Sequence, residues 1–178
     1  MPQETIQLPA TLESERLILR PPRKGDGEEV NRAILETLSS RQSWMPWAKT
    51  PPTLESSEEF ACKAEESYKT HEEYVFQLRL KGSEELIGYV GVHPRDRDVP
   101  SFEIGYWCRL LYQGQGYVTE GVRTLTRFAF ETLGANRVEI RCDTRNNASR
   151  RVAERCGYTH EAVLRHDARG ADDALRNT

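Results

Sequence analysis

The sequence predicts a single α+β domain over residues 1–178, built on a mixed, mostly antiparallel sheet flanked by helices. Three observations predict it. The chain has 178 residues, the length of one ordinary domain with a real core. Three strand-like runs follow one another in its middle: "YVFQLRL", "ELIGYVGVH" and "SFEIGYWCR". After them, helical and strand-like stretches alternate. Hairpin-linked strands first and alternating units afterwards give a mixed sheet.

The elements follow in order. "RLILRPP" alternates apolar and basic residues and stops at Pro21 and Pro22, as a short strand does. "GDGEEVNRAILETLSS" opens with Asp26 as a capping residue and sets Val30, Ile34 and Leu38 on one helical face. "SWMPWAKTPPT" is a proline-broken loop that holds Trp44 and Trp47. "LESSEEFACKAEESYKTHEE" reads as a helix capped by Ser56 or Ser57, with Phe60, Ala64 and Tyr68 on one side. Gly82-Ser83 joins the first two middle strands as a hairpin, and "PRDRDVP" is the loop before the third. Val118, Val122, Leu125, Ala129 and Leu133 mark one face of a helix of about four turns. Gly134 ends it. "RVEIRCD" is a strand, "NASRRVAERC" a short helix stopped by Gly157, and "YTHEAVLRHDAR" another strand. "ALRNT" opens one more.

Composition narrows the function. Hydrophobic residues make up 37% and charged residues 30%, with a net charge of −3. A mildly acidic chain is a poor match for nucleic-acid binding through a broad basic face. No apolar run approaches the roughly 20 residues of a membrane span. The first residues lack the basic start and apolar core of a secretory signal. Cys62, Cys108, Cys142 and Cys156 form no C-x-x-C pair, and no histidine pair has metal spacing, so no metal is expected. Free thiols in a cytoplasmic protein are the simplest reading.

The stretch "LLYQGQGYVTEGV" carries the chemistry. Gly114 and Gly116 stand where a strand hands over to a helix. Backbone N–H groups in such a turn point into one concavity, and the helix N-terminus adds about half a positive charge. That is a site for phosphate or pyrophosphate, and glycine lets the backbone approach it. A turn with glycine for geometry alone is the competing reading. The dinucleotide pattern G-x-G-x-x-G is not met, since Thr119 takes the third position, and no Walker G-K-S or G-K-T occurs.

The segment from "FEIGYWCRLLYQGQGYVTEG" to "NNASRRVAERCGY" resembles the core of the GNAT N-acetyltransferases, closest to the RimJ/RimL type that acetylates ribosomal-protein N-termini. "LESERLILRPP" is similar to that subgroup's first strand and "WMPWA" to its tryptophan-bearing loop, so the resemblance covers nearly the whole chain. It implies a sheet splayed at its centre and acetyl-coenzyme A as donor. The pyrophosphate would rest on the backbone of Gln113, Gly114, Gln115, Gly116, Tyr117 and Val118. The pantetheine arm would pair with the edge of the strand from Ile104 through Tyr106 to Trp107, and Asn146 would hold its amide. Two positions depart from the family: Leu111 stands where Gln or Arg is usual, and Ala153 where many members carry a tyrosine. In the RimJ/RimL pattern N-x-x-S, Ser149 would protonate the leaving thiolate instead. Asn146 and Ser149 also read as ordinary helix-capping residues.

An amine must lose its proton to attack a thioester, since α-amines have a pKa near 8 and lysines near 10.4. A carboxylate at the entrance does this directly or through water. Glu103, one residue before Ile104-Gly105, is the candidate base; an outward-facing strand acid is the competing reading. A backbone N–H near Trp107 would polarise the thioester carbonyl. Trp44 and Trp47 would line the acceptor mouth, or simply pack beneath the two-helix flap. Arg150, Arg151 and Arg155 form a basic helix face, one member of which would meet the coenzyme's phosphates. The acceptor is expected to be a protein N-terminal amine, with a small-molecule amine as the alternative. A non-catalytic coenzyme A-binding sensor and an unrelated nucleotide-binding module are the other readings. The early stop of the last strand makes a homodimer plausible through an open sheet edge.

Overall fold

Two short strands open the fold in the computed structural model, which describes residues 7–41, 44, 50–96, 98–170 and 173–178. Strand β1 (Leu12–Glu13) turns back on β2 (Leu17–Arg20). Helices α1 (Gly27–Arg41) and α2 (Leu54–Lys69) follow, then strands β3 (Tyr74–Leu80), β4 (Leu86–Asp96) and β5 (Ser101–Cys108). A 3-10 turn, Leu110–Tyr112, leads to α3 (Tyr117–Glu131), then β6 (Arg137–Glu139) and α4 (Asn147–Arg155). Strands β7 (Ala168–Arg169) and β8 (Leu175–Arg176) form a separate small sheet. The main sheet runs β1-β2-β3-β4-β5-β6 in space; every neighbouring pair is antiparallel except β5–β6, which is parallel. This is the expected mixed α+β architecture.

Period-2 alternation divides β3 between two cores. Tyr74, Phe76 and Leu78 join a cluster with Val122, Leu125 and Phe128 of α3. Val75 joins Val30 and Ala33 of α1, Ala64 of α2 and Tyr89 of β4. The expected apolar stripe of α3 holds: Val122, Leu125 and Ala129 have no exposed surface. Burying each of the larger two contributes about 2 kcal/mol. The helix ends as expected, with Gly134 at φ +67°.

The buried polar side chains around Gln77 satisfy one another. Gln77, fully buried, donates to the Asp26 carboxylate (3.0 Å) and to the Tyr89 hydroxyl (3.0 Å). Arg20 grips the same carboxylate through both Nη atoms at 3.0 Å. Asp26 was expected to cap α1, but its carboxylate is turned to Arg20, Gln77 and the Arg23 N–H. Glu58 of α2 takes over, accepting from the N–H groups of Gly25 (2.7 Å) and Gly27 (2.9 Å). Helix α2 is capped by Thr53, whose side chain accepts from the Ser56 N–H, rather than by Ser56 or Ser57.

Three strand limits also differ from expectation. Strand β4 runs on through Pro94 to Asp96, with an irregularity that lets it stay paired with Ser101. Strand β6 ends at Glu139 instead of Asp143, because its ladder with β5 ends there. Residues 158–167 form no strand, and only Ala168–Arg169 is extended and paired. Most of that stretch is exposed, and Leu164 and Thr178 exchange N–H···O bonds of 2.8 and 3.1 Å. Among the described residues, no helix is long and apolar enough to cross a membrane. The four cysteines are unpaired thiols, and no group of three metal-ligating side chains is found among the described residues.

Candidate active site

The parallel ladder between β5 and β6 is three residue pairs long, from Ser101↔Arg137 to Glu103↔Glu139. Beyond it β5 stays bonded to β4 as far as Cys108↔Gly88, while the chain after β6 turns away towards α4. A wedge opens between the last two strands of the main sheet. Its β5 side is Ile104–Trp107, the stretch expected to splay.

At the far end of β5 the chain makes the turn that the glycines predict. Gly114 has φ +76° and Gly116 φ +85°, both left-handed, and Gly116 is the N-cap of α3. An added Cβ at Gly114 would meet nothing within 4 Å. Glycine is required there by backbone angle and not by crowding. The turn is braced from outside by a residue left unassigned in the sequence. Arg16 donates from Nη1 to the Gln115 carbonyl (3.1 Å), and its guanidinium carbon lies 4.4 Å from the Tyr117 ring centroid. It is held by Glu120, which accepts from Arg16 N, Arg16 Nε and Ser14 Oγ, each at 2.7 Å. Burial alone would raise the Glu120 pKa; these bonds reverse that and leave it lowered.

Two cavities meet at this wedge. The first, about 350 Å³, lies between the glycine turn and α4. Gln113, Gly114, Gly116, Tyr117 and Val118 line it, as do Arg151 and Arg155. Gln115 does not: its amide is turned back onto the Leu111 carbonyl (2.9 Å). Arg150, the remaining member of the basic helix face, pairs with Glu154 at 2.8 Å. The second cavity, about 660 Å³, lies under α1 and α2, and Glu103 and Ile104 line it. Glu103 therefore faces the cleft, with Arg95 Nε at 3.6 Å. His93, directly across from Glu103 on β4, lines the same cavity with its Nδ1 3.6 Å from Glu73; composition had offered no reason to single it out.

Tyr106, Trp107, Asn146 and Ser149 border both cavities. Asn146 caps α4, its Oδ1 accepting from the Ser149 N–H at 3.1 Å, so the capping reading is correct. Ser149 Oγ is left to interact with the Tyr106 hydroxyl at 2.9 Å. Burial pushes the Tyr106 pKa up, so this hydroxyl keeps its proton. Trp107 stacks on Tyr89, ring centroids 5.4 Å apart. Trp44 borders both cavities, with Arg145 5.7 Å above its ring. Trp47 lies outside the described residues.

One family model spans both the splayed parallel pair and the glycine turn that opens α3. The model of that family, described as an acetyltransferase (GNAT) domain, matches residues 16–159. The chain belongs to the GNAT acetyltransferases. It is 29% identical over 153 residues to YdaF of Bacillus subtilis strain 168, covering 85% of this chain and 82% of that protein. The ribosomal-protein-serine acetyltransferase of Escherichia coli K12 is 24% identical over 164 residues, covering 91% and 87%. Among solved structures, a RimL ribosomal L7/L12 α-N-protein acetyltransferase in complex with coenzyme A superposes with a TM-score of 0.83 at 19% identity, over 94% of each chain. Within the GNAT fold, Leu111, one of the two departures, is an exposed side chain on the 3-10 turn. At the wedge, the Ser149 and Tyr106 hydroxyls stand 2.9 Å apart.

Proposed function

We propose that this GNAT protein transfers the acetyl group of acetyl-coenzyme A to a primary amine, and that the amine is a protein N-terminal α-amine. One observation carries the reading: a cavity bounded by a helix N-terminus and a cavity containing a carboxylate meet at the Tyr106–Ser149 hydroxyl pair. The smaller cavity receives the donor. Backbone N–H groups of the glycine turn and the α3 N-terminus face the pyrophosphate, with Arg151 and Arg155 supplying positive charge. The open edge of β5 at Ile104–Trp107 takes the pantetheine arm as an added strand, and Asn146 stands beside it.

The larger cavity receives the amine. Glu103 accepts its proton, directly or through a water. The neutral nitrogen attacks the thioester carbonyl, whose oxygen gathers negative charge beneath the β5 backbone near Trp107. As the carbon–sulfur bond breaks, Ser149 Oγ offers its hydrogen to the departing sulfur, with the Tyr106 hydroxyl behind it. Trp44 borders the meeting point of donor and acceptor. The unpaired thiols fit a cytoplasmic setting. The resemblance to ribosomal-protein acetyltransferases supports the choice of a protein acceptor.

Titration calorimetry with acetyl-coenzyme A, combined with a free-thiol assay on N-terminal peptides and polyamines, tests the reading. Binding with thiol release on peptides is the expected result. Release on polyamines alone would remove the protein acceptor, and absence of binding would reduce the glycine turn to a plain turn.

A further inference from the structure

The larger cavity is walled in part by a guanidinium with an unpartnered donor. Arg176 on β8 lines it, and its Nε is sealed from solvent with no hydrogen-bond partner among the described residues. Buried donors without partners are rare, and each one asks for an explanation. The nearby acid does not provide it. Asp143 Oδ1 accepts from Arg145 N and Nε at 2.9 Å, and Oδ2 from Nη2 at 2.7 Å. The Arg145 bonds lower the Asp143 pKa first, and the charge of Arg176 adds to this only weakly. Arg141, also in the cavity wall, is paired with Asp167.

Arg176 is also firmly held. Ala168 pairs with it across β7–β8, the next residue's carbonyl accepts from Thr144 N at 3.0 Å, and Thr178 is bonded to Leu164. These bonds fix the strand that carries Arg176 beside the Asp143–Thr144 corner. The cavity thus has a carboxylate from Glu103 and a guanidinium donor from Arg176 in its walls. A volume of about 660 Å³ lies within the usual range for small-ligand sites.

We infer that the acceptor is an amine with an acidic group close to its nitrogen, the amine lying towards Glu103 and the anion bound by Arg176. The inference rests on the acetyltransferase reading of the site and narrows its acceptor class. The shared chemistry is a carboxylate near a primary amine, whether on an acidic peptide N-terminus or on a free amino acid.

Two matched acceptor pairs separate these sources: Ser-Glu-Ala-amide against Ser-Gln-Ala-amide, and serine against serinamide. Each is assayed for thiol release with the wild type, Arg176→Gln and Arg176→Lys. In the wild type the acidic member of one pair is expected to have a kcat/KM higher by about 10- to 100-fold, the value of a charged hydrogen bond. That ratio should collapse in Arg176→Gln and return in part in Arg176→Lys. No preference in either pair would overturn the inference. So would a ratio that survives Arg176→Gln, because Arg176 would then support only the fold. Donor binding with thiol release but no charge preference leaves the acetyltransferase reading intact and removes the anion site alone. Calorimetric binding of the same acceptor pairs without donor reads Arg176 even if no amine turns over: tighter binding of the acidic member, lost in Arg176→Gln, sustains it, and equal binding overturns it.

Discussion

The Tyr106 hydroxyl lies 2.9 Å from Ser149 Oγ and donates to the Ser149 carbonyl at 3.0 Å, tying the splayed strand to the first turn of α4. With the Tyr106 hydrogen on that carbonyl, the Ser149 hydroxyl keeps its own hydrogen, which the proposed mechanism turns to the departing sulfur. Ser149→Ala should lower kcat by about 100-fold, the lower end for general-acid loss because a thiolate leaves readily. Acetyl-coenzyme A affinity should change little. Tyr106→Phe should produce a smaller loss, since Ser149 remains. Rapid-quench measurement of the chemical step, alongside donor titration, checks both; equal kcat in Ser149→Ala and wild type would remove Ser149 from the reaction.

Glu103 lines the larger cavity, where the proposed mechanism places the amine. Glu103→Gln should reduce kcat/KM at pH 7 by about 100-fold. The deficit should shrink as pH rises towards the α-amine pKa near 8, because the acceptor then arrives neutral without help. Parallel pH profiles for variant and wild type would show that another group takes the proton, and His93 would be the next to test.

The glycine turn makes a backbone prediction. At Gly114, φ +76° with open space around the missing Cβ, alanine should cost about 1 to 2 kcal/mol through backbone strain alone. At Gly116, φ +85°, the added carbon would only touch Arg16 Nη2 at 3.4 Å, so backbone strain again sets the cost. Both variants should melt at lower temperature, and Gly116→Ala should show the larger loss of acetyl-coenzyme A affinity. Calorimetric scans with and without donor distinguish the two effects.

Glu120 gives a pH-dependent stability term. Its folded pKa lies below the usual glutamate value, the Arg16 and Ser14 bonds outweighing burial. A depressed carboxylate pKa stabilises the fold above the unfolded pKa, and this is lost as pH falls through the folded value. Glu120→Gln should therefore be less stable than wild type at pH 7, by about 1 to 2 kcal/mol. The gap should close below pH 4.5. Urea melts at pH 7 and pH 3 measure it; a constant gap would show that Glu120 acts through packing alone.

What was legible in the sequence was local. Positive-φ glycines, the Asn146 cap and the stripe from Val122 to Ala129 are each set by residues within a few positions. The Arg16–Glu120 brace was not legible, since the partners are 104 positions apart and neither stands out alone. Asp26 misled for the same reason: its cap signal is real, but Arg20 and Gln77 compete for the carboxylate and win. Residues 158–167 had a strand's composition but lacked a neighbouring strand to complete a ladder. Arg176 had no signal of its own, because an unpaired donor is a property of its surroundings.

The three-rung ladder between β5 and β6 has an evolutionary consequence. A donor that completed the open edge of β5 would be held by main-chain atoms, and only a change to proline removes a main-chain N–H. The walls of the neighbouring cavity are side chains, each one codon change from something else. A lineage built on this sheet can exchange one acceptor for another while its donor stays the same.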